Sequence, residues 1–449
     1  MDKLFGTDGI RGVANAGLGI DLALRVGQAS AVVLSQGKEK KPVIAIGKDT
    51  RISCDMLESA LIAGMCSMGA DVMVLGVVPT PAVAFITATT VADAGIVISA
   101  SHNPYEYNGI KIFNSDGFKL SDELESEIEE IIFSGNSFKL KTGGEIGKVI
   151  RKNKDLVEKY IDHLERCADG EIAGHRVLID CANGAAARTA SSLFSRFNID
   201  LEIMKDHPNG QNINSSCGST HIDVLSNYVV TGKYDIGIAF DGDADRCIIV
   251  DEKGNVIDGD KIMGVCGLAM KKAGKLNKST IVATVMSNLG FHNYARDNGI
   301  ELVCTSVGDR NVLEKMLECG YNLGGEQSGH LIFLDESTTG DGQLAAIKFL
   351  SVLSATGKSV SELVKEFVQY PQVLMGVSLK STGSDKEFIM TSGKLSAAIK
   401  SEESRLNGNG RILVRPSGTE ALIRVMVEAA NSEIADSIAI NLTNIIKSL

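Results

Sequence analysis

Three stretches of the 449-residue chain repeat one grammar: a short apolar strand, a polar loop, an amphipathic helix, a Gly or Asn stop, and a second apolar strand. Units of this kind form parallel sheets covered by helices, so the repeat commits most of the chain to α/β architecture. The first runs from a strand over 42–46 through Gly47-Lys48-Asp49-Thr50-Arg51 into a helix that presents Leu57, Leu61, Ile62 and Met65 on one face. In that helix Asp55 and Glu58 are expected to form a cap pair, Gly69 to stop it, and 71–75 to follow as strand. The second runs from a strand over 176–179 through a helix holding Leu193, Phe194 and Phe197 to a strand over 201–204. The third runs from 279–285 through a short helix ending near Gly299 to 302–305.

A further strand follows each unit and ends in a distinctive polar loop: Ser99-Ala100-Ser101-His102-Asn103-Pro104, Asp241-Gly242-Asp243-Ala244-Asp245-Arg246, and Gly324-Gly325-Glu326-Gln327-Ser328-Gly329-His330. In open α/β sheets ligands bind beyond the carboxyl ends of strands, where all three loops fall. Past Tyr370-Pro371 the pattern changes to a strand, a helix around 395–399, a turn at 408–410, two strands flanking Arg415-Pro416-Ser417-Gly418-Thr419-Glu420, and a final helix. The expected fold is three tandem similar α/β domains plus a smaller C-terminal α+β domain around a central cleft, with boundaries at 1–152, 153–252, 253–368 and 369–449. The polar stretches 134–154 and 382–384 read as linker or loop.

Charge narrows the partners. The 45 Lys and Arg against 56 Asp and Glu leave a net charge of −11, which argues against nucleic acid and anionic membranes, both of which need a basic footprint. An anionic substrate would need a local basic pocket. No stretch approaches the roughly 18 apolar residues of a membrane span, and residues 1–12 carry charges in place of an apolar signal core, so a cytoplasmic protein is expected. The nine cysteines are scattered and never in C-x-x-C spacing, which speaks against a disulfide framework or zinc ribbon; Cys54, Cys66 and Cys266 read as small core hydrophobes.

Asp241, Asp243 and Asp245 alternate, and along an extended segment that would place three carboxylates on one side. Clustered acids repel without a cation, so a Mg²⁺ site is expected; the bland reading is a solvated acidic turn. An EF-hand calcium loop is the nearest rival, with Glu252 at its twelfth position, but Arg246 holds the place its glycine needs and both flanks are strand-like. Ser101, in a loop restricted by Asn103-Pro104, reads either as a turn-capping serine or as a nucleophile and phosphate carrier. His102 beside it is read as a loop hydrogen-bonding residue, because adjacent side chains diverge. Ser328 lacks the G-x-S-x-G elbow of hydrolases; with Glu326 it suits sugar hydroxyls, or else a plain polar hairpin. Arg415, Ser417, Gly418 and Thr419, with Arg424 on the next strand, offer guanidinium forks, hydroxyls and backbone N–H groups to a phosphate dianion, against the alternative of an ordinary surface turn. Together these parts match phosphoryl transfer, which needs mainly positioning and charge neutralisation.

At this point the residues resemble the α-D-phosphohexomutases, over essentially the whole chain. The motifs, in order, are F-G-T-D-G-I-R-G from Phe5, G-K-D-T-R from Gly47, S-A-S-H-N-P from Ser99, D-G-D-A-D-R from Asp241, G-G-E-Q-S-G-H from Gly324 and R-P-S-G-T-E from Arg415. A chance match to any one six-residue motif is on the order of one in 10⁵, so several in order are specific. Asn212-Ile213-Asn214 and Cys217-Gly218-Ser219-Thr220-His221, with Gln327, look like the glucosamine branch; Cys54, Asn311 and Ala421 depart from the usual family residues.

The resemblance implies interconversion of glucosamine 6-phosphate and glucosamine 1-phosphate, toward UDP-N-acetylglucosamine and the cell wall. It implies that Ser101 carries the phosphate and joins Asp241, Asp243 and Asp245 in binding one Mg²⁺ per chain, and that Arg246 lies against the phosphoserine loop. Arg11 and Lys111 would flank the reacting hydroxyl, while Gly308, Asp309, Glu326, Ser328 and His330 contact the sugar. Arg415, Ser417, Gly418, Thr419 and Arg424 would hold the phosphate that is not reacting. Glucosamine 1,6-bisphosphate would serve as intermediate and activator, and a homodimer is the expected assembly. Two rivals from other classes are a sugar-phosphate phosphatase and a non-catalytic sugar-phosphate sensor.

Overall fold

Each of the three repeats closes as one sheet, and the strand order is the same in all three. The structure, a computed structural model, describes residues 3–6, 8–36, 40–134, 138–151, 153–382, 385–417 and 421–449. Strands β1 (Ile10–Val13), β2 (Val43–Lys48), β3 (Asp71–Val77), β4 (Ala94–Ile98), β5 (Tyr107–Asn114) and β6 (Val149–Ile150) form a sheet in the order β1-β5-β4-β2-β3-β6. Strands β7 (Ala173–Asp180), β8 (Asn198–Met204), β9 (Ile236–Phe240), β10 (Cys247–Asp251) and β11 (Val256–Ile257) form the second, β11-β10-β9-β7-β8. The third, from β12 (Thr280–Thr284), β13 (Glu301–Thr305), β14 (Leu323–Gly325) and β15 (Leu331–Phe333), runs β13-β12-β14-β15.

In every sheet the repeat's first strand lies between its second and third, all three parallel, and the next strand returns antiparallel beside the third. The central strands β4, β9 and β12 are buried at every residue, as strands covered on both faces must be, which is why they read as unbroken apolar runs. The three polar loops therefore occupy one topological place, the hairpin that leaves the carboxyl end of β4, β9 and β14.

Local expectations fare unevenly. The helix Cys54–Ser67 buries Leu57, Leu61 and Met65, with Ile62 half-buried at the edge of that face. Asp55 and Glu58 do not cap it: both carboxylates turn to the Lys48 ammonium at the end of β2, at 2.6 Å each, because a nearby cation outcompetes the backbone N–H groups. The second crossover holds only a one-turn segment, Ala185–Arg188, and the helix Ala190–Phe194, and Phe197 lies past its end. The expected linker over 134–154 contains β6, which adds to β3 in parallel, and the start of the helix Asn153–Arg166. Gly383 and Ser384 lie outside the described residues. Cys54 and Cys266 are buried, Cys66 is half-buried, and all nine cysteines are free.

The chain divides into two compact units, 1–285 with 300–365, and 286–299 with 366–449. The second unit is built on β16 (Gln372–Ser378), β17 (Gly410–Pro416) and β18 (Leu422–Ala429), antiparallel in the order β16-β18-β17. The helix Ser432–Lys447 covers this sheet; Asn431 caps it through the Ile434 N–H, and Ala435, Ile438, Ala439, Leu442 and Ile446 form its buried stripe. The helix Leu289–Asp297, which by chain order crosses from β12 to β13, belongs to this second unit. Its first N–H, at Leu289, donates to the fully buried Glu428 carboxylate at 2.9 Å, and Arg411 and Gln372 also donate to Glu428. Among the described residues no helix is long and apolar enough to cross a membrane.

Candidate active site

In the first unit the hairpin loops meet. Ser101, fully buried, takes a left-handed backbone with φ 52°, and its Oγ donates to Asp241 Oδ2 at 2.6 Å. The segment 241–245 is not extended. It turns, with the Ala244 N–H donating to the Asp241 carbonyl and Ala244 at φ 57°, and the turn rather than strand alternation gathers the three carboxylates. One ligand oxygen from each lies within 4.8 Å of the others. A Cβ on Gly242 would stand 2.5 Å from the Ser101 carbonyl oxygen, so only glycine lets the two loops approach this closely.

The carboxylate oxygens are divided between two tasks. Oδ2 of Asp243 accepts from Thr80 Oγ1 at 2.6 Å and from Lys111 Nζ at 3.0 Å, and Oδ2 of Asp245 lies 3.2 Å from the same ammonium. The Oδ1 atoms of Asp243 and Asp245 are buried with no hydrogen-bond partner among the described residues. Buried carboxylate oxygens left open beside a third carboxylate and a serine hydroxyl are the oxygen-rich donor set that Mg²⁺ requires, so these residues fit the ion.

Charge is balanced atom against atom. Burial alone would drive the Lys111 amine toward neutrality, but Asp243, Asp8 and Asp245 outweigh it and hold the ammonium well above its ordinary pKa. Burial likewise opposes ionisation of Asp243, and Lys111 with the Thr80 hydroxyl overcomes it, leaving the carboxyl at about 2. Asp8 is also held well below the usual range, with Lys111, Lys119 and Arg11 overcoming its burial. Asp241 goes the other way: burial and then repulsion from Asp245 and Asp243 push it well above the ordinary value, and Arg246 offsets them only in part.

Arg11 pairs with Asp8, and Lys119 bridges Asp8 at 2.6 Å and Asp309 at 2.5 Å. His330 Nε2 stands 3.6 Å from Asp309, Arg246 forms a β-bridge with His330, and Glu326 accepts from the Gly308 N–H at 3.0 Å and from Ser328 Oγ at 3.3 Å. A Cβ on Gly340 would meet the His330 ring at 2.4 Å, so the glycine makes room for the imidazole. Ser101, Asp241, Asp243, Asp245, Lys111, Arg11, Arg246, Asp309, Gly308, Glu326, Ser328 and His330 thus form one linked set of loops. The His102 ring does not diverge from its neighbour: Nδ1 lies 3.3 Å from Ser101 Oγ, drawn there by the left-handed turn. Burial and then Arg246 and Arg11 lower its pKa to about 4, so the ring is neutral at physiological pH.

Asp8, Thr80 and Lys119 escaped the sequence reading. Asp8 lies inside the first motif, two residues from a glycine turn, and could have been found there; Thr80 and Lys119 carry no local signal, since their partners are 163 and 190 residues away. In the second unit Arg415 and Arg424 are direct cross-strand partners on β17 and β18. Burial and the facing Arg424 charge lower the Arg415 pKa. The Ser417 N–H closes the hairpin onto the Leu422 carbonyl, and Gly418 and Thr419 lie outside the described residues.

Four family models match the chain in order: phosphoglucomutase/phosphomannomutase alpha/beta/alpha domain I over 2–139, domain II over 158–254, domain III over 258–370, and the C-terminal domain over 379–444. A phosphoglucosamine mutase of Acetivibrio thermocellus is 49% identical over 448 residues, covering 100% of this chain and 99% of that protein. Among solved structures, a phosphoglucomutase/phosphomannomutase family protein from Burkholderia thailandensis shares the fold at TM-score 0.81 and 22% identity, covering 100% of this chain and 98% of that one. The N-acetylphosphoglucosamine mutase of Aspergillus fumigatus, in complex with GlcNAc-6P and magnesium, shares it at TM-score 0.68 and 18% identity, covering 99% and 95%.

Proposed function

Since the chain belongs to the phosphoglucomutase/phosphomannomutase family, we propose that it interconverts glucosamine 6-phosphate and glucosamine 1-phosphate through a phosphoserine at Ser101 and a glucosamine 1,6-bisphosphate intermediate. The enzyme is an isomerase of the mutase type. The observation that carries the reading is the Ser101 hydroxyl, buried and 2.6 Å from one of three converging carboxylates whose neighbours keep open Oδ1 atoms.

A free sugar hydroxyl attacks the phosphorus carried on Ser101; the new O–P bond forms as the Oγ–P bond breaks, and the hydroxyl proton passes to the serine oxygen. The bisphosphate then returns its other phosphoryl group to Ser101 by the reverse exchange. Lys111 and Arg11 stabilise charge at the reacting oxygens; Lys111 serves as a cation rather than a base, because its carboxylate neighbours keep it protonated. Ser101, Asp241, Asp243 and Asp245 would hold Mg²⁺, whose chemistry there would be neutralisation of negative charge. Arg246 lies against the phosphoserine loop, and Gly308, Asp309, Glu326, Ser328 and His330 bind the sugar. For Arg415, Ser417, Gly418, Thr419 and Arg424 the role that fits is a phosphate-dianion loop, supported by the two facing guanidinium groups. The net charge of −11 supports small-molecule rather than nucleic-acid or anionic-membrane partners, and the reading includes a cytoplasmic homodimer.

The test is a side-by-side mutase assay on glucosamine, glucose and mannose phosphates with Mg²⁺ and a trace of hexose bisphosphate, following isomers and inorganic phosphate together. A kcat/KM advantage for glucosamine phosphate supports the proposal, a preference for glucose or mannose overturns the branch, and phosphate release without isomerisation makes the protein a phosphatase. Ser101→Ala should abolish turnover while leaving the unfolding transition in place, and full activity in that variant would sink the mechanism.

A further inference from the structure

Two sequence motifs have no part in the chemistry above: G-K-D-T-R at 47–51 and the Asn212-Ile213-Asn214 run. Both converge on the backbone of Ser101. Arg51, fully buried, donates from Nη2 to the Ser101 carbonyl at 2.8 Å and from Nη1 to the carbonyls of Pro104 and Tyr107. Asn214 Nδ2 donates to the same Ser101 carbonyl at 2.9 Å and to that of Asn103 at 3.1 Å. The Ser101 N–H donates to Ser99 Oγ at 2.9 Å, and Ser99 Oγ donates to Asp49 Oδ2 at 2.6 Å. Asp49 Oδ2 also accepts from Arg51 Nε at 2.8 Å. The links Asp49–Ser99–Ser101–Arg51–Asp49 thus close a ring of buried side chains around both main-chain polar groups of one residue.

The ring has a physical purpose. A non-glycine residue in the left-handed region is strained and persists only where the surroundings over-determine it. If Ser101 relaxed to φ below zero, its side chain would swing away from Asp241. A planar guanidinium spanning three carbonyls is a fixed template for that loop, which an ammonium on a flexible stem cannot reproduce. We propose that Arg51, held by Asp49, and Asn214 are positioning residues of the phosphoryl transfer: they clamp the Ser101 carbonyl so that Oγ faces the metal carboxylates. The inference rests on Ser101 being the phosphoryl carrier.

The experiment measures transfer onto Ser101 directly. Dephosphorylated enzyme with Mg²⁺ is mixed with glucose 1,6-bisphosphate, and phosphate at Ser101 is followed by intact mass and peptide mapping alongside steady-state kcat and KM. Arg51→Ala should slow Ser101 phosphorylation and kcat by about 100-fold or more with KM within about threefold, and millimolar guanidinium should restore about tenfold of the loss. Arg51→Lys should recover little. Asn214→Ala, which leaves the ion pair intact, should slow transfer by about tenfold. Wild-type rates in Asn214→Ala and Arg51→Lys would overturn the proposal, as would losses in Arg51→Ala that guanidinium fails to reverse. Failure of the wild-type enzyme to take up phosphate at Ser101 is a different result, and it would overturn the carrier role itself.

Discussion

Lys111, in the first unit, stands among Asp8, Asp243 and Asp245, whereas Arg415, in the second, stands across the β17–β18 ladder from another arginine, Arg424. The two arrangements handle charge in opposite ways. Lys111, Asp8 and Asp243 are each pushed toward ionisation by opposite charges that overcome their burial. At Arg415 burial and the like charge of Arg424 act in the same direction and lower its pKa. The first arrangement balances buried charge with side chains of opposite sign, whereas the second sets two like charges opposite each other across a strand pair.

The sharpest way to break this contrast is Lys111→Met. Removing one ammonium leaves Asp8, Asp243 and Asp245 facing one another in a buried site, and breaking a buried pair on one side costs about 3–5 kcal/mol. Urea unfolding at neutral pH should show that loss, and added Mg²⁺ should recover part of it. A variant as stable as the wild type would mean that the carboxylates are balanced by something other than Lys111. The mirror substitution, Arg415→Ala, should leave the unfolding midpoint unchanged or slightly raised, because it relieves repulsion. It should raise KM for the hexose phosphate by about 10- to 100-fold, or about 1.4–2.8 kcal/mol. A fall in stability without a change in KM would show that Arg415 serves the sheet rather than a ligand.

The contrast also marks what the sequence could and could not reveal. The repeat showed through because βαβ units write themselves locally: a strand precedes each polar loop in sequence and structure alike, and each loop sits at its hairpin. The three carboxylates showed through because they are close together in the chain. Their geometry did not, since the left-handed residue that turns 241–245 is an alanine rather than a glycine. The balancing partners were hidden for a different reason. Thr80 and Lys119 reach Asp243 and Asp309 from 163 and 190 residues away, and no periodicity records such distances. The same holds for Asp55 and Glu58, whose spacing suits a cap while a lysine on the preceding strand claims both.

Asp341 supplies the control within the first unit. It caps the helix Gly342–Thr356 through the Leu344 N–H and accepts from Tyr160 Oη at 2.9 Å, and the main charged group acting on it is another acid, Asp245. Burial therefore prevails and raises its pKa to about 6, against about 2 for Asp243 beside Lys111. Between the ordinary value of 3.8 and about 6, the folded protein binds a proton at Asp341 that the unfolded chain has released. This group's contribution to stability consequently falls as pH rises through that window, and the penalty is complete above it. Asp341→Asn keeps an acceptor for Leu344 and Tyr160 but has no charge to bury, so it should lose the slope. Its unfolding free energy in urea should match the wild type near pH 4 and exceed it at pH 7 by on the order of 1 kcal/mol, the helix cap weakened by loss of the carboxylate taking back part of the gain. If the two proteins instead run parallel across the window, burial does not suffice to keep a carboxylate protonated here, and the low pKa of Asp243 could no longer be credited to Lys111 and Thr80 overcoming it.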